Sequence, residues 1–76
     1  MNKKIKEIAI RDAETFMEHA SLEEIDNEIE DGHPSKYLIE GSGREQCMVY
    51  FGVDVKDLKK ALKIYDAEYI ATLEEA

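Results

Sequence analysis

Lys36-Tyr37-Leu38-Ile39-Glu40-Gly41-Ser42-Gly43-Arg44-Glu45-Gln46-Cys47-Met48-Val49-Tyr50-Phe51-Gly52-Val53 is the stretch whose conformation decides the fold. Its two halves carry β-branched and aromatic residues, and Gly41-Ser42-Gly43 stands between them, so it reads as a β-hairpin with a three-residue loop. Gly43 in the left-handed position of a bulged turn pairs Glu40 with Arg44 and Leu38 with Gln46. Alternation then gathers Tyr37, Ile39, Cys47, Val49, Phe51 and Val53 on one face and Glu40, Arg44 and Gln46 on the other. A two-residue loop would shift the register by one and mix these sets. Leu38, Met48 and Tyr50 share the second face, which therefore needs a cover from a helix or a second subunit. A two-stranded sheet is barely stable alone, so a homodimer formed through the hairpin edge or its second face is expected.

Downstream, Asp54 is placed to cap a last helix running to about residue 73. Val55, Leu58, Ala61, Leu62, Tyr65, Tyr69, Thr72 and Leu73 recur on one side of it. Lys56, Lys59, Lys60 and Lys63 lie on the reverse, and Ile64 and Ile70 stand outside the apolar stripe. Upstream, Gly32 supplies a left-handed C-terminal position and Pro34 prevents a helix from resuming. That helix begins at Ser21-Leu22-Glu23-Glu24, a capping box, and its apolar side is only Leu22, Ile25 and Ile29. Before it, Ile5, Ala9, Ala13, Phe16, Met17 and Ala20 recur at steps of three and four, which reads as one helix over residues 3–20, with Ile8 and Ile10 off the stripe centre. The alternative is a short strand followed by a helix capped by Asp12. The expected architecture is a small α+β single domain over residues 1–76, ordered helix, helix, β-hairpin, helix. Its helices would pack on an antiparallel two-stranded sheet or on one extended by dimerisation.

A chain of 76 residues buries only roughly 60% of the surface that its unfolded form exposes, so help from a partner or from self-association is expected. Hydrophobic residues at 43% and a single proline exclude a disordered tail. The lone Cys47 cannot form an internal disulfide, which points to a reducing compartment, the cytoplasm by default. The opening MNKKIKEIAI has lysines but not the apolar core of a secretory leader, and no run reaches the roughly 20 apolar residues that span a bilayer. A soluble protein with no leader and no membrane partner is expected.

Chemical motifs fail one by one. A calcium loop starting at Asp26 would need glycine where Asp31 stands and an acid where Tyr37 stands. His19 and His33 lack a second histidine at zinc spacing, and Cys47 reads as a buried structural thiol. No metal or cofactor is expected. A thiol flanked by Gln46 and Met48 has no cationic setting to activate it, so no enzyme is expected. Residues 44–51 can be laid on the RNA-recognition signature, but Gln46 and Met48 replace the aromatics that stack bases. A net charge of −8 further opposes direct binding of nucleic acid.

What remains is charge. Residues 12–31 hold nine of the chain's 18 acids and none of its ten Lys and Arg residues. No lysine sits one turn from these acids to offset their repulsion, and Glu30 and Asp31 oppose the helix dipole. Local stability explains neither, whereas docking on a basic surface does. The sequence therefore predicts a small acidic, non-catalytic binding protein. Glu14, Glu18, Glu23, Glu24, Asp26, Glu28, Glu30 and Asp31 would meet a basic protein surface, such as that of a nucleic-acid-binding protein inhibited by mimicry. In composition alone the chain is similar to small acidic inhibitors and nucleic-acid mimics of phages and mobile elements. The competing expectation is a self-assembling structural or accessory domain, a homo-oligomer, with Met48, Tyr50, Ile64 and Ile70 at its contacts and acids that only solvate. A third is an oligomer that binds a small ligand at a subunit interface.

Overall fold

Cys47 and Phe51 are each 1% exposed, yet Val49 between them is 73% exposed in the computed structural model, which describes residues 1–76. A strand turns residues 47, 49 and 51 to one face, whereas a helix carries residues 47 and 51 together and residue 49 nearly opposite. The chain is all-helical, with α1 (Asn2–His19), α2 (Leu22–Asp31), α3 (Ser35–Phe51) and α4 (Val55–Glu75) and no strand. This corrects the α+β expectation. The β-hairpin over residues 36–53 does not exist, there is no two-stranded sheet, and a homodimer through a hairpin edge loses its basis. The physical reason is that a helix satisfies its backbone groups internally, whereas a lone hairpin leaves two open edges.

Gly43 keeps the positive φ expected of it but in another setting. At φ 83° and ψ 166° it breaks α3 into helical runs over residues 35–42 and 44–51. That region of backbone space is essentially open to glycine alone. Gly52, at φ 69° and ψ 37°, ends α3, and the Val53 N–H closes the turn on the Met48 carbonyl at 3.0 Å.

The flanking helices follow their patterns. The capping box of α2 is formed, the Glu24 N–H donating to Ser21 Oγ at 3.2 Å and the Ser21 N–H to Glu24 Oε1 at 2.9 Å. Gly32 adopts φ 74° and closes the helix on the Glu28 carbonyl. α1 is a single helix, and Asp12 lies inside it rather than at its start. Ile8, off the expected stripe centre, joins Ile5, Ala9 and Ala13 in the core. Asp54 precedes α4 in an extended conformation, without a side-chain capping bond.

α1 and α4 make the most extensive packing, with Ile5, Ala9 and Ala13 from one and Leu58, Ala61, Tyr65, Tyr69 and Leu73 from the other buried in one core with Cys47 and Phe51. Small residues on both helices allow their axes to approach closely. Tilted aromatic rings run through this core, with Phe51 to Tyr65 at 5.4 Å and Tyr65 to Tyr69 at 5.6 Å between centroids. α2 stands apart. It has no buried residue, Ile25 and Ile29 are half-buried, and Leu22 is 81% exposed.

Candidate functional site

The acids split into two populations. Glu14 and Glu18 on α1, and Glu23, Glu24, Asp26, Glu30 and Asp31 on α2, are exposed. Among the α2 acids only Asp31 pairs with a base, Lys36 Nζ at 2.8 Å, and that hydrogen bond raises the lysine pKa. Glu24 is held below the ordinary carboxylate value by the Ser21 amide it accepts from. Glu28 alone turns inward. It is half-buried, its Oε1 has no hydrogen-bond partner, and burial followed by the charge of Asp31 pushes its pKa up.

Asp12, from the same acidic stretch, anchors a polar cluster. Tyr65 donates its hydroxyl to Asp12 Oδ2 at 2.8 Å. The Tyr50 hydroxyl lies 2.8 Å from Oδ1 and 2.7 Å from Oδ2, and Arg11 Nη2 donates to that hydroxyl at 2.9 Å. Arg11 Nε stays 3.6 Å from Asp12, outside hydrogen-bond distance. Burial, reinforced by the Asp12 carboxylate, raises the pKa of both tyrosines, so each remains a donor at neutral pH. The cluster ties α1, α3 and α4 together. A buried tyrosine on the α4 stripe needs an acceptor, and Asp12 lies three residues after Ala9 and four before Phe16, on the edge of the α1 stripe. Those were the sequence signals for this pair, and the composition of residues 12–31 masked them.

Asp66 closes a second junction. Ser35 donates its N–H to Oδ1 at 2.8 Å and its hydroxyl to Oδ2 at 2.9 Å, so a residue of α4 caps the first turn of α3. His33 Nδ1 stands 3.8 Å from the same carboxylate. Pro34 is buried at this corner in a helical conformation, so besides ending α2 it leads into α3.

Between α1 and the first run of α3 lies an open groove of about 520 Å³, floored by α4. It is lined by Asp12, Thr15 and Phe16, by Pro34, Tyr37 and Leu38, and by Tyr65 and Tyr69. Burial and the nearby Glu28 and Asp12 charges push the Tyr69 pKa up to about 12. A smaller depression shares Thr15 and Phe16 with it and continues along His19 and Ala20 to Glu24, at the start of α2. Together they present two carboxylates, Asp12 and Glu24, and no Lys or Arg.

Met48, Ile64 and Ile70 are half-buried against the core, and Tyr50 is engaged by Asp12. Burial raises the pKa of the Cys47 thiol, which keeps it protonated. No group of three or more His, Cys, Asp and Glu side chains is arranged to hold a metal ion, and no helix is long and apolar enough to cross a membrane. Comparison with protein-family models, with curated proteins and with solved structures gives no match for this chain.

Proposed function

We propose that the chain is a small non-catalytic binding protein whose acidic face, centred on α2, docks on a basic protein surface of the kind that otherwise holds nucleic acid. The carrying observation is that α2 buries no residue while Glu23, Asp26 and Glu30 stand in solvent without a basic partner. A helix that contributes little to the core and leaves Leu22 exposed among its acids has the makeup of a contact surface, an apolar point in a charged field. The lone buried Cys47 suits a reducing compartment such as the cytoplasm.

The test is capture of a partner from a lysate of the native host at low and at high salt, using the natural chain and a Glu23→Gln, Asp26→Asn, Glu30→Gln variant. Loss of capture by about tenfold or more at unchanged helicity is expected, as is weakening at high salt. Equal capture by the variant overturns the reading. Self-assembly is the second reading, favoured by the exposed Val49 and Val55, which line one depression with Met48 and Val53. Light scattering that shows a monomer, unchanged by Val49→Asp, discards it.

A further inference from the structure

We infer that the groove between α1 and α3 receives an arginine side chain of the basic partner, with Asp12 accepting from the guanidinium and Phe16, Tyr37 and Tyr69 flanking its plane. The inference rests on the docking function proposed above and names the contact that would give it specificity. Two features of the groove carry it, the open acceptor capacity of Asp12 and the aromatic walls.

An ionised carboxylate offers about four lone-pair positions. The Tyr50 hydroxyl has one proton to share between the two Asp12 oxygens, and Tyr65 supplies one more, so roughly two positions stay open. The Asp12 side chain is 22% exposed and lines the groove, whereas Arg11 does not line it. Arg11 donates to the Tyr50 hydroxyl and forms an ion pair with Asp12 at 3.6 Å, too long for a hydrogen bond, from outside the groove lining. Asp12 thus lines the groove with acceptor capacity left over for an outside donor.

The walls select the kind of donor. A guanidinium is planar, less strongly hydrated than an ammonium, and stacks on aromatic faces while donating to a carboxylate in the same plane. Phe16, Tyr37, Tyr65 and Tyr69 supply rings that line the groove with Asp12, and Tyr37 is 55% exposed at the rim, with Lys36 Nζ 5.2 Å from its ring centroid. Charge complementarity extends outward, because the adjoining depression runs past Thr15, Phe16, His19 and Ala20 to the Glu24 carboxylate and holds no Lys or Arg. A partner segment that crosses the start of α2 thus passes Glu24 on its way to Asp12.

The probe is N-acetyl-arginine methylamide, titrated into the full chain and followed by amide chemical shifts, with the citrulline and lysine analogues as controls. Saturable shifts centred on Asp12, Thr15, Phe16, Tyr37 and Leu38 are expected. Citrulline, which lacks the charge, should bind about tenfold more weakly, and lysine should fall between the two. Asp12→Asn should abolish the arginine preference over citrulline. Tyr37→Ala changes only a rim residue, and it should weaken arginine binding severalfold even if the Asp12 variant fails to fold. The Glu23→Gln, Asp26→Asn, Glu30→Gln variant should still bind the arginine probe in the groove. Failure of the docking reading therefore shows in that variant's partner capture, and failure of the groove assignment shows in the titration. Absence of saturable shifts, shifts confined to the α2 acids, or equal binding of citrulline or lysine overturns the assignment.

Discussion

α4 and α2 are both amphipathic helices in one small domain, yet they are held in opposite ways. α4 buries Leu58, Ala61, Tyr65, Tyr69 and Leu73 and receives α1 along its length. α2 buries none of its residues: Ile25 and Ile29 rest half-buried against the core, and its ends are set by the capping box at Ser21 and by Gly32 with the Asp31 to Lys36 bridge. Burial is the dominant stabilising contribution in a domain of this size, so α4 carries the fold, and substitutions on the exposed side of α2 leave it standing. The contrast separates stability from surface chemistry, and within residues 12–31 Asp12 and Glu28 are the acids that cross the division. Asp12 crosses with two hydroxyl donors. Glu28 crosses with an oxygen that has none.

The contrast can be broken most forcefully in the core. Leu58→Ala should destabilise by about 2 to 5 kcal/mol, enough to unfold a marginal domain, while Leu22→Ala should stay within about 0.5 kcal/mol in chemical denaturation. Next comes the inward acid. Asp12→Ala strands the Tyr65 hydroxyl in the core and should cost about 1 to 3 kcal/mol, whereas Glu23→Ala should be nearly neutral.

Two glycines in α3 report the conformation of the decisive stretch. Gly43→Asn should cost about 1 to 3 kcal/mol, because asparagine tolerates a left-handed bulge but not a ψ of 166°. An added Cβ meets nothing within 4 Å there, so the effect is one of backbone alone. Gly41→Ala, also in open space and inside helix, should stabilise by about 0.5 to 1 kcal/mol and raise helicity by circular dichroism.

The smallest effects separate two acids of α2 by sign. Glu28 has its folded pKa raised above the ordinary 4.5, so the native state holds a proton that the unfolded state releases, and stability falls as pH rises from about 4.5 through the folded value. Glu28→Gln should therefore raise the denaturation midpoint at neutral pH. Glu24 has its pKa lowered, so its contribution is present above 4.5 and is lost as pH falls through the folded value. Glu24→Gln should remove that acid-side loss. Denaturation midpoints followed from neutral to acid pH distinguish the two, and a shared sign would mean that Glu28 does not face inward.

Most of the helix ends were legible before any coordinates, and so was the exposed acidic surface. Ser21 with Glu24, Gly32 with Pro34, and Asp54 ahead of α4 each mark a boundary by local sequence, whereas Gly52, which ends α3, reads as part of a hairpin. The groove was not legible, because it draws Asp12 and Phe16 from α1, Tyr37 from α3 and Tyr69 from α4, and no spacing along the chain connects them. The trans cap from Asp66 to Ser35 was hidden for the same reason.

By itself, then, the sequence determined where α2 begins and ends, where α4 begins, most of the apolar stripe of each flanking helix, and that negative charge gathers on residues 12–31. These properties depend on neighbours a few residues apart, through caps, glycine dihedrals and the periodicity of apolar side chains. Only the tertiary structure decided residues 36–53. Local preference between strand and helix there spans about 1 kcal/mol, whereas burying each of Cys47 and Phe51 against α1 and α4 is worth on the order of 1 to 3 kcal/mol. The core offered by α1 and α4 accepts residues 47 and 51 while leaving residue 49 in water, and that pattern belongs to a helix.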